Sequence, residues 1–524
     1  MRSLHGIHAC LALLLVGSWA SGMSAGDATK LPSPSGDGAS ASHSFLPPSV
    51  LLGRGLRGLD HGDPSLALGS FRRLLEAAGE NASWRRRARL GLGRAWMMLG
   101  RADLSLRYAE ALLREDRRDP GARALEIRAL LRNGDFPEAL RRARRARADL
   151  GGSDPDLNAA YASALYRNRR LREAERSYRS LLATDLHQVE ALVRLGTGLL
   201  SPRPAPALPP LLDAVGLQKA GAFREAENKL HEVLKRDPVH PLALRLLGEL
   251  LLSRNRKRSP LVESGILERI WSLRAPAGEA PPWIRRFLKD WDRLSPLRRR
   301  VALASLTPFG SWLRIAVANG ATHDFLMEVE RTTADPDRAW LRGRKTFDGR
   351  VWDDVRGMGG KHAATGVEAL DEALEGGFQT FVHEVAHQVH LYALPEGAKR
   401  RIESLYLGAK REGLLLDYYA AANSAEYFAQ GVEAWFSFAK AAGQPITHGH
   451  TRRELARKDP ALASFLAELF EDGLEPSTRA ELRRLALEAA VLTGRVEDAL
   501  ELAGAEGAGV EAEIRMKLLP FRMF

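Results

Sequence analysis

Residues 119–140 read DPGARALEIRALLRNGDFPEAL, and residues 154–175 read DPDLNAAYASALYRNRRLREAE. In both, apolar residues recur at helical spacing, a polar break follows, and a second helical run begins. The turn Asn133-Gly134-Asp135-Phe136 repeats Leu99-Gly100-Arg101, which stands 34 residues earlier. Phe136-Pro137-Glu138-Ala139-Leu140 returns as Leu171-Arg172-Glu173-Ala174-Glu175, 35 residues on, and again as Phe223-Arg224-Glu225-Ala226-Glu227. Asp119-Pro120, Asp154-Pro155 and Asp237-Pro238 read as the closing residues of successive units. One helix pair of this size cannot bury its own apolar face. A period near 34 therefore predicts a stack of pairs sharing one continuous core. The pattern runs from about Leu51 to Lys257, interrupted by a Pro-rich insertion from Ser201 to Pro210.

This period, with Gly in the turn, Ala in the second helix and Pro at the exit, resembles the tetratricopeptide repeat. The resemblance implies a protein or peptide partner on the surface of the stack. A rigid spacer packed against a neighbouring domain fits the same pattern.

The chain has 524 residues, too many for one ordinary core, so a multidomain protein is expected. Its 77 Lys and Arg outweigh 65 Asp and Glu, a formal charge of +12. The densest basic run, Arg141 to Arg147, lies within a helical pattern and has no aromatic interleaving. It reads as a solvated helix face, and no nucleic-acid partner is expected. At the N-terminus, Arg2 precedes the apolar run Ala9 to Gly17, followed by Ser18, Ala20 and Ala25. This is the pattern of a signal peptide over 1–25. It implies a secreted or periplasmic product, or an N-terminally anchored one if uncleaved. A Gly/Ser/Ala/Pro linker follows over 26–48. Cys10 is the only cysteine, so the mature chain is expected to have none. That excludes disulfides, thiolate zinc sites and a Cys nucleophile, and leaves His and carboxylates as metal ligands. No later segment reads as long and apolar enough to span a membrane.

The break RAPAGEAPPW at 274–283 separates the repeats (49–273) from a second domain (285–470). There Ser295-Pro296 predicts a helix start. Leu313 to Ala318 and Phe325 to Val329 read as short strands, and Phe347 to Gly360 as a strand entering a Gly-rich loop. A helix ended by Pro395 and another from Ser424 to about Ala441 follow. This mixture predicts an α+β domain. Thr493 to Leu500 carries a further helix-turn-helix signature within a C-terminal hairpin, 475–524.

The chemistry lies in 378–393, FQTFVHEVAHQVHLYA. His383, Glu384 and His387 form H-E-x-x-H on a helix. Positions i and i+4 share a helix face, so two imidazoles can hold one Zn²⁺ with Glu384 beside it as acid–base. A third ligand is expected from another element. His390 lies on the His387 face, but three ligands from one straight helix would strain the coordination sphere, so it reads as a rim residue. The longer H-E-x-x-H-x-x-G-x-x-H pattern fails, because His390 and Ala393 stand where its Gly and last His belong. Residues 423–436, NSAEYFAQGVEAWF, form an amphipathic helix carrying Glu426 and Glu433.

H-E-x-x-H followed by N-x-A-E-[FY]-F-A, its Glu 39 residues beyond the second His, resembles the catalytic domain of the anthrax-lethal-factor-like gluzincins. The resemblance spans roughly 350–440. It implies a zincin-like fold, Glu426 as third zinc ligand and Tyr419 as donor to an oxyanion, with Tyr418 as competitor. Where that family has a Glu backing a liganding imidazole, this chain has Gln430. Its amide oxygen can still accept from an imidazole N–H, so orientation is expected to be kept with less electrostatic help, and Glu433 is a further candidate for such support. Gly357 to Gly360 reads as an ordinary turn. The expected function is a secreted zinc-dependent endopeptidase acting on a protein or peptide, with the repeats binding protein. The alternative is a non-enzymatic repeat scaffold with a degenerate zincin domain.

Overall fold

The computed structural model describes residues 46–276, 278–346, 348–443, 450–470 and 473–521. The expected signal peptide, Cys10 and most of the linker lie outside the described residues.

Antiparallel helix pairs fill the first half: Pro48–Asp60 with Pro64–Ala77, Ala82–Met98 with Ala102–Glu115, Pro120–Arg132 with Phe136–Leu150, and Pro155–Arg167 with Leu171–Thr184. After the insertion, Pro209–Lys219 pairs with Phe223–Arg236, and Pro241–Arg256 follows. Each turn needs one residue in the left-handed region. Gly100, Gly134 and Gly221 supply it at φ 76°, 82° and 79°, whereas Arg169 occupies the equivalent place at φ 57°. The Asp-Pro pairs differ from expectation. Asp119 and Asp154 open helices rather than closing units: their carboxylates cap Ala122 N at 3.0 Å and Leu157 N at 2.8 Å. Asp237-Pro238 precedes the cap at His240, which opens Pro241–Arg256. The basic run is paired: Arg141 and Arg142 bind Glu138, Arg142 also binds Glu126, and Arg144 lies 3.6 Å from Glu173.

The second half is helical around a small sheet. Strands β1 (Thr322–Leu326), β2 (Gly357–Met358) and β3 (His362–Gly366) lie in the order β1-β3-β2. β1 runs parallel to β3, with Thr322 opposite His362, and β2 runs antiparallel to it. The expected strand at Leu313–Ala318 is instead the end of a helix, Gly310–Ala318. It buries Leu313 and Ala316, three apart, and leaves Ile315 exposed. The expected strand at 325–329 is shifted to 322–326. Among the described residues of 347–360 the one strand is Gly357–Met358, with an isolated antiparallel bridge from Val351 to Lys345. Between them Asp353 and Asp354 are drawn inward to bind Thr333 and Arg331. The helices of interest here are α1 (Thr380–Tyr392), which stops before Pro395, and α2 (Ser424–Trp435), which stops short of Ala441. Beyond α2 the chain turns back, so that Ala441 N donates to Gly376 O at 2.8 Å.

Among the described residues, Pro296–Ala318 is the one helical run long and apolar enough to cross a membrane, contrary to the sequence reading. A 3-10 turn at Thr307–Phe309 breaks it, and Val301, Phe309 and Leu313 are buried in the core.

The C-terminal pair, Pro476–Leu492 and Val496–Glu506, repeats the solenoid turn, with Gly494 at φ 68°. It buries Leu482 and Leu485 in the core beneath α1 and α2. On its other side Leu487, Ala490 and Leu502 join Leu68, Phe71 and Trp96 of the first repeats. The solenoid also grips the second half directly. Val351 N donates to Gly198 O at 2.8 Å, Arg256 binds Glu372 and Glu375, and Phe136 meets Tyr418 edge-on at 5.1 Å. The repeats thus pack as a wall against their neighbour.

Candidate metal centre

α1 is anchored at both ends of its inner face. Gln379 N donates to Glu433 Oε1 at 3.0 Å, and Lys440, fully buried, binds Glu433 and reaches Gly377 O at 3.0 Å. Directly after His387, Gln388 donates to Thr322 O at 2.8 Å and faces His323 at 3.1 Å, tying the helix to β1. Burial pushes the His323 imidazole down to about 4, so it is a neutral hydrogen-bonding post. Glu433 therefore holds the start of α1 rather than backing an imidazole.

α2 begins at Asn423, whose side chain caps Glu426 N at 2.9 Å. This fixes Glu426 in the first turn, facing α1. His383 Nε2 lies 3.1 Å from Glu426 Oε2, His387 Nε2 lies 3.4 Å from the same oxygen, and the two nitrogens are 3.2 Å apart. His383, His387 and Glu426 are, among the described residues, the group able to hold a metal ion. Tetrahedral zinc, with bonds of about 2.0–2.1 Å, sets its ligand atoms about 3.3–3.5 Å apart. The three edges, 3.1, 3.2 and 3.4 Å, lie at or just under that spacing, so the residues fit a divalent cation. One feature departs from well-supported zinc sites: His383 Nδ1, buried, finds no hydrogen-bond partner.

Burial opposes the charge on Glu426, but hydrogen bonds from His383 and His387 overcome it and hold its carboxyl well below the usual carboxylate range. Burial would also lower His387, yet Glu426 raises it above its ordinary value. Glu384 lies outside the triad. Burial pushes its carboxyl up, with the His pair pulling the other way. Burial likewise keeps the Tyr419 hydroxyl protonated.

The two tyrosines part company. The Tyr419 ring lies 6.2 Å from that of His383, whereas Tyr418 turns to the solenoid, between Phe136 and Arg167. The tyrosine loop hangs on Asp417, whose carboxylate accepts Tyr419 N at 2.8 Å, Ala420 N at 2.9 Å and Gln430 Nε2 at 3.2 Å. Gln430 is thus turned toward this loop. His450 also meets Asp417, at 3.2 Å; burial would lower it, but Glu454 and Asp417 lift it to about 9. Asp417 was missed in the sequence, although an Asp two residues before a bonded backbone N–H is a turn signal. His390 packs on Phe428 at 5.1 Å, is lowered by burial to about 4, and stands outside the triad.

The glycine segment is more than a turn. A Cβ on Gly357 would lie 2.6 Å from Glu384 Oε1, and one on Gly359 would lie 3.1 Å from His387 and 3.2 Å from Glu384. Strand β2 therefore runs hard against the acid and the second His.

A helical-repeat solenoid with a His-His-Glu cluster beside it is the class these observations define. A family model for the tetratricopeptide repeat matches residues 52–122, 125–185 and 213–257. Residues 52–257 thus carry repeats of that kind, which in general mediate protein–protein contacts. No curated protein matches the chain. The match bears on protein binding and not on the chemistry of the triad.

Proposed function

We propose that the protein is a zinc-dependent endopeptidase, exported by its N-terminal segment, in which a repeat array packs against the catalytic half. The convergence of His383, His387 and Glu426 from two helices, at spacings that fit tetrahedral zinc, carries the reading. Bound Zn²⁺ would supply Lewis acidity and make water nucleophilic near neutral pH. Glu384, its carboxyl raised by burial, would accept a proton from the attacking water and return it to the leaving amine. Tyr419 would donate its hydroxyl hydrogen bond to the developing oxyanion. Gly357 and Gly359 leave room for the Glu384 carboxylate and for an extended substrate backbone along β2.

A second reading, a non-catalytic protein-binding scaffold, is favoured by the repeat match. Metal content separates the two. Purified protein is expected to hold about one zinc, and His387→Ala to lose it. Zinc at 100 times its dissociation constant should stabilise the fold by about 2.7 kcal/mol, read as a rise in Tm. The sign with pH follows from His387. Its raised pKa favours the protonated imidazole, so metal must displace that proton. In the zinc-free protein, protonation of His387 contributes stability on the acid side that is lost as pH rises through its folded pKa. The zinc-induced rise in Tm should accordingly be larger at pH 8 than at pH 6. Protein without zinc at either pH would leave only the scaffold.

Gly357→Ala offers a finer test. Its φ is not in the left-handed region, so the backbone accepts Ala, but the new Cβ displaces Glu384. Casein hydrolysis should fall by about 10- to 100-fold with zinc content unchanged. Unchanged hydrolysis would mean Glu384 does not work from its present position.

A further inference from the structure

Beside the metal centre, where the solenoid meets the loop before β2, three guanidinium groups gather. Arg167 ends a first helix of the repeats, Arg194 ends the next, and Arg350 stands in the opposing loop. The Arg167 guanidinium lies 4.7 Å from the Tyr418 ring centre and 5.6 Å from that of Tyr166, and Arg194 lies 4.5 Å from Tyr166. The Tyr418 and Tyr419 rings are 6.4 Å apart, and Tyr419 leads to His383 at 6.2 Å. Arg350 is near enough to both Tyr419 and Glu384 to act on their charges. Arg194 and Arg350 keep 22% and 21% side-chain exposure, so neither side chain is sealed from water.

The carboxylates present do not neutralise this cluster. Arg350 has Asp348 at 2.8 Å. Glu190 already accepts from Ser163 at 2.7 Å and Tyr178 at 3.0 Å, and stands 3.8 Å from Arg194. Arg194 Nε is buried without a hydrogen-bond partner. Arg167 has no carboxylate within ion-pair reach among the described residues, only its two tyrosine faces. Burial and Arg194 bring its guanidinium down to about 10, still charged at neutral pH. Like charges held this close repel, and an entering carboxylate would relieve the repulsion through forked hydrogen bonds.

We propose that Arg167, Arg194 and Arg350 form a subsite for acidic side chains of a peptide, supplied largely by the repeats and adjoining the metal centre. The choice of a peptide rests on the endopeptidase reading; the choice of an acidic one does not. The test uses full-length protein with zinc and Glu384→Gln, so that binding is read without cleavage. Fluorescein-labelled twelve-residue peptides of Glu, Ser and Gly, and their Gln counterparts, are compared by anisotropy at 0.15 M salt. The Glu peptide should bind at least tenfold more tightly. Arg167→Gln with Arg194→Gln should abolish the difference, and the corresponding Lys pair should restore part of it. Arg141→Gln with Arg145→Gln, a solvent-exposed pair on the neighbouring helix Phe136–Leu150, removes equal charge and should change affinity less than twofold. Equal binding of the two peptides by the unsubstituted pair, or equal loss in the exposed-pair control, overturns the subsite. Acidic preference without any cleavage by the wild-type chain sinks the endopeptidase reading alone. Cleavage without acidic preference sinks the subsite alone.

Discussion

Glu384→Gln is expected to lower casein hydrolysis by about 10²- to 10⁴-fold, the range for loss of a general base, with zinc content unchanged. The separation is possible because Glu384 and the metal-holding atoms are different groups on one helix. His383 and His387 point at Glu426, while the Glu384 carboxylate lies against Gly357 and Gly359. Gln has the same shape and leaves packing intact, but it cannot take a proton. Glu384 is buried and its carboxyl is raised, which brings its basicity nearer to the working pH of a proton shuttle. Tyr419→Phe should act on the same reaction from the other side, by about 10²-fold, because one oxyanion donor is removed without a charge change. Retained hydrolysis in the Gln variant, at equal zinc, would end the acid–base assignment. Loss of zinc in that variant would mean that Glu384 supports the triad instead.

The repeats were legible because their signal is local and recurs: each turn and each buried Ala returns at nearly the same interval. The paired imidazoles were legible for a related reason. A spacing of four on a helix leaves little freedom, and the rings stand 4.8 Å apart. Glu426 is different, because no local rule links residues separated by 39 positions; it entered through resemblance to a family. Tyr418 and Tyr419 are adjacent and chemically alike, so only the solenoid, by seating Tyr418 on Phe136 and Arg167, tells them apart. The strands were misread where apolar runs were short. Leu313 to Ala318 suits either a strand or a buried helix, and its neighbours decided for the helix. Gly357 and Gly359 looked like punctuation. Their contacts with Glu384 and His387 come from a strand pairing two residues long, too short to leave a pattern.

The second large effect concerns separability. A fragment spanning 285–470, produced alone, is expected not to fold cooperatively, although it contains the whole triad. Its core is completed from outside: Leu261, Ile266 and Trp271 precede it, and Leu482, Leu485 and Ala489 follow it. Cutting there also strands buried polar groups. Arg245, 1% exposed, joins Glu249 to the backbone of Glu328, and Arg256 holds Glu372 and the buried Glu375. Removing one partner of a buried ion pair costs about 3–5 kcal/mol, against a total stability of about 5–15 kcal/mol for a typical domain. That loss at Glu375, with the stranded Glu328 carbonyl and the exposed apolar faces, exceeds what a fragment of this size can hold. The converse cut, deleting 474–521, uncovers Leu68, Phe71 and Trp96 of the first repeats and should destabilise both ends of the solenoid wall. Thermal unfolding should therefore show one transition for the full chain, and size-exclusion chromatography should show aggregates for either truncation. A soluble 285–470 fragment with a sharp transition and full zinc binding would show that the repeats lean on a domain that is already complete.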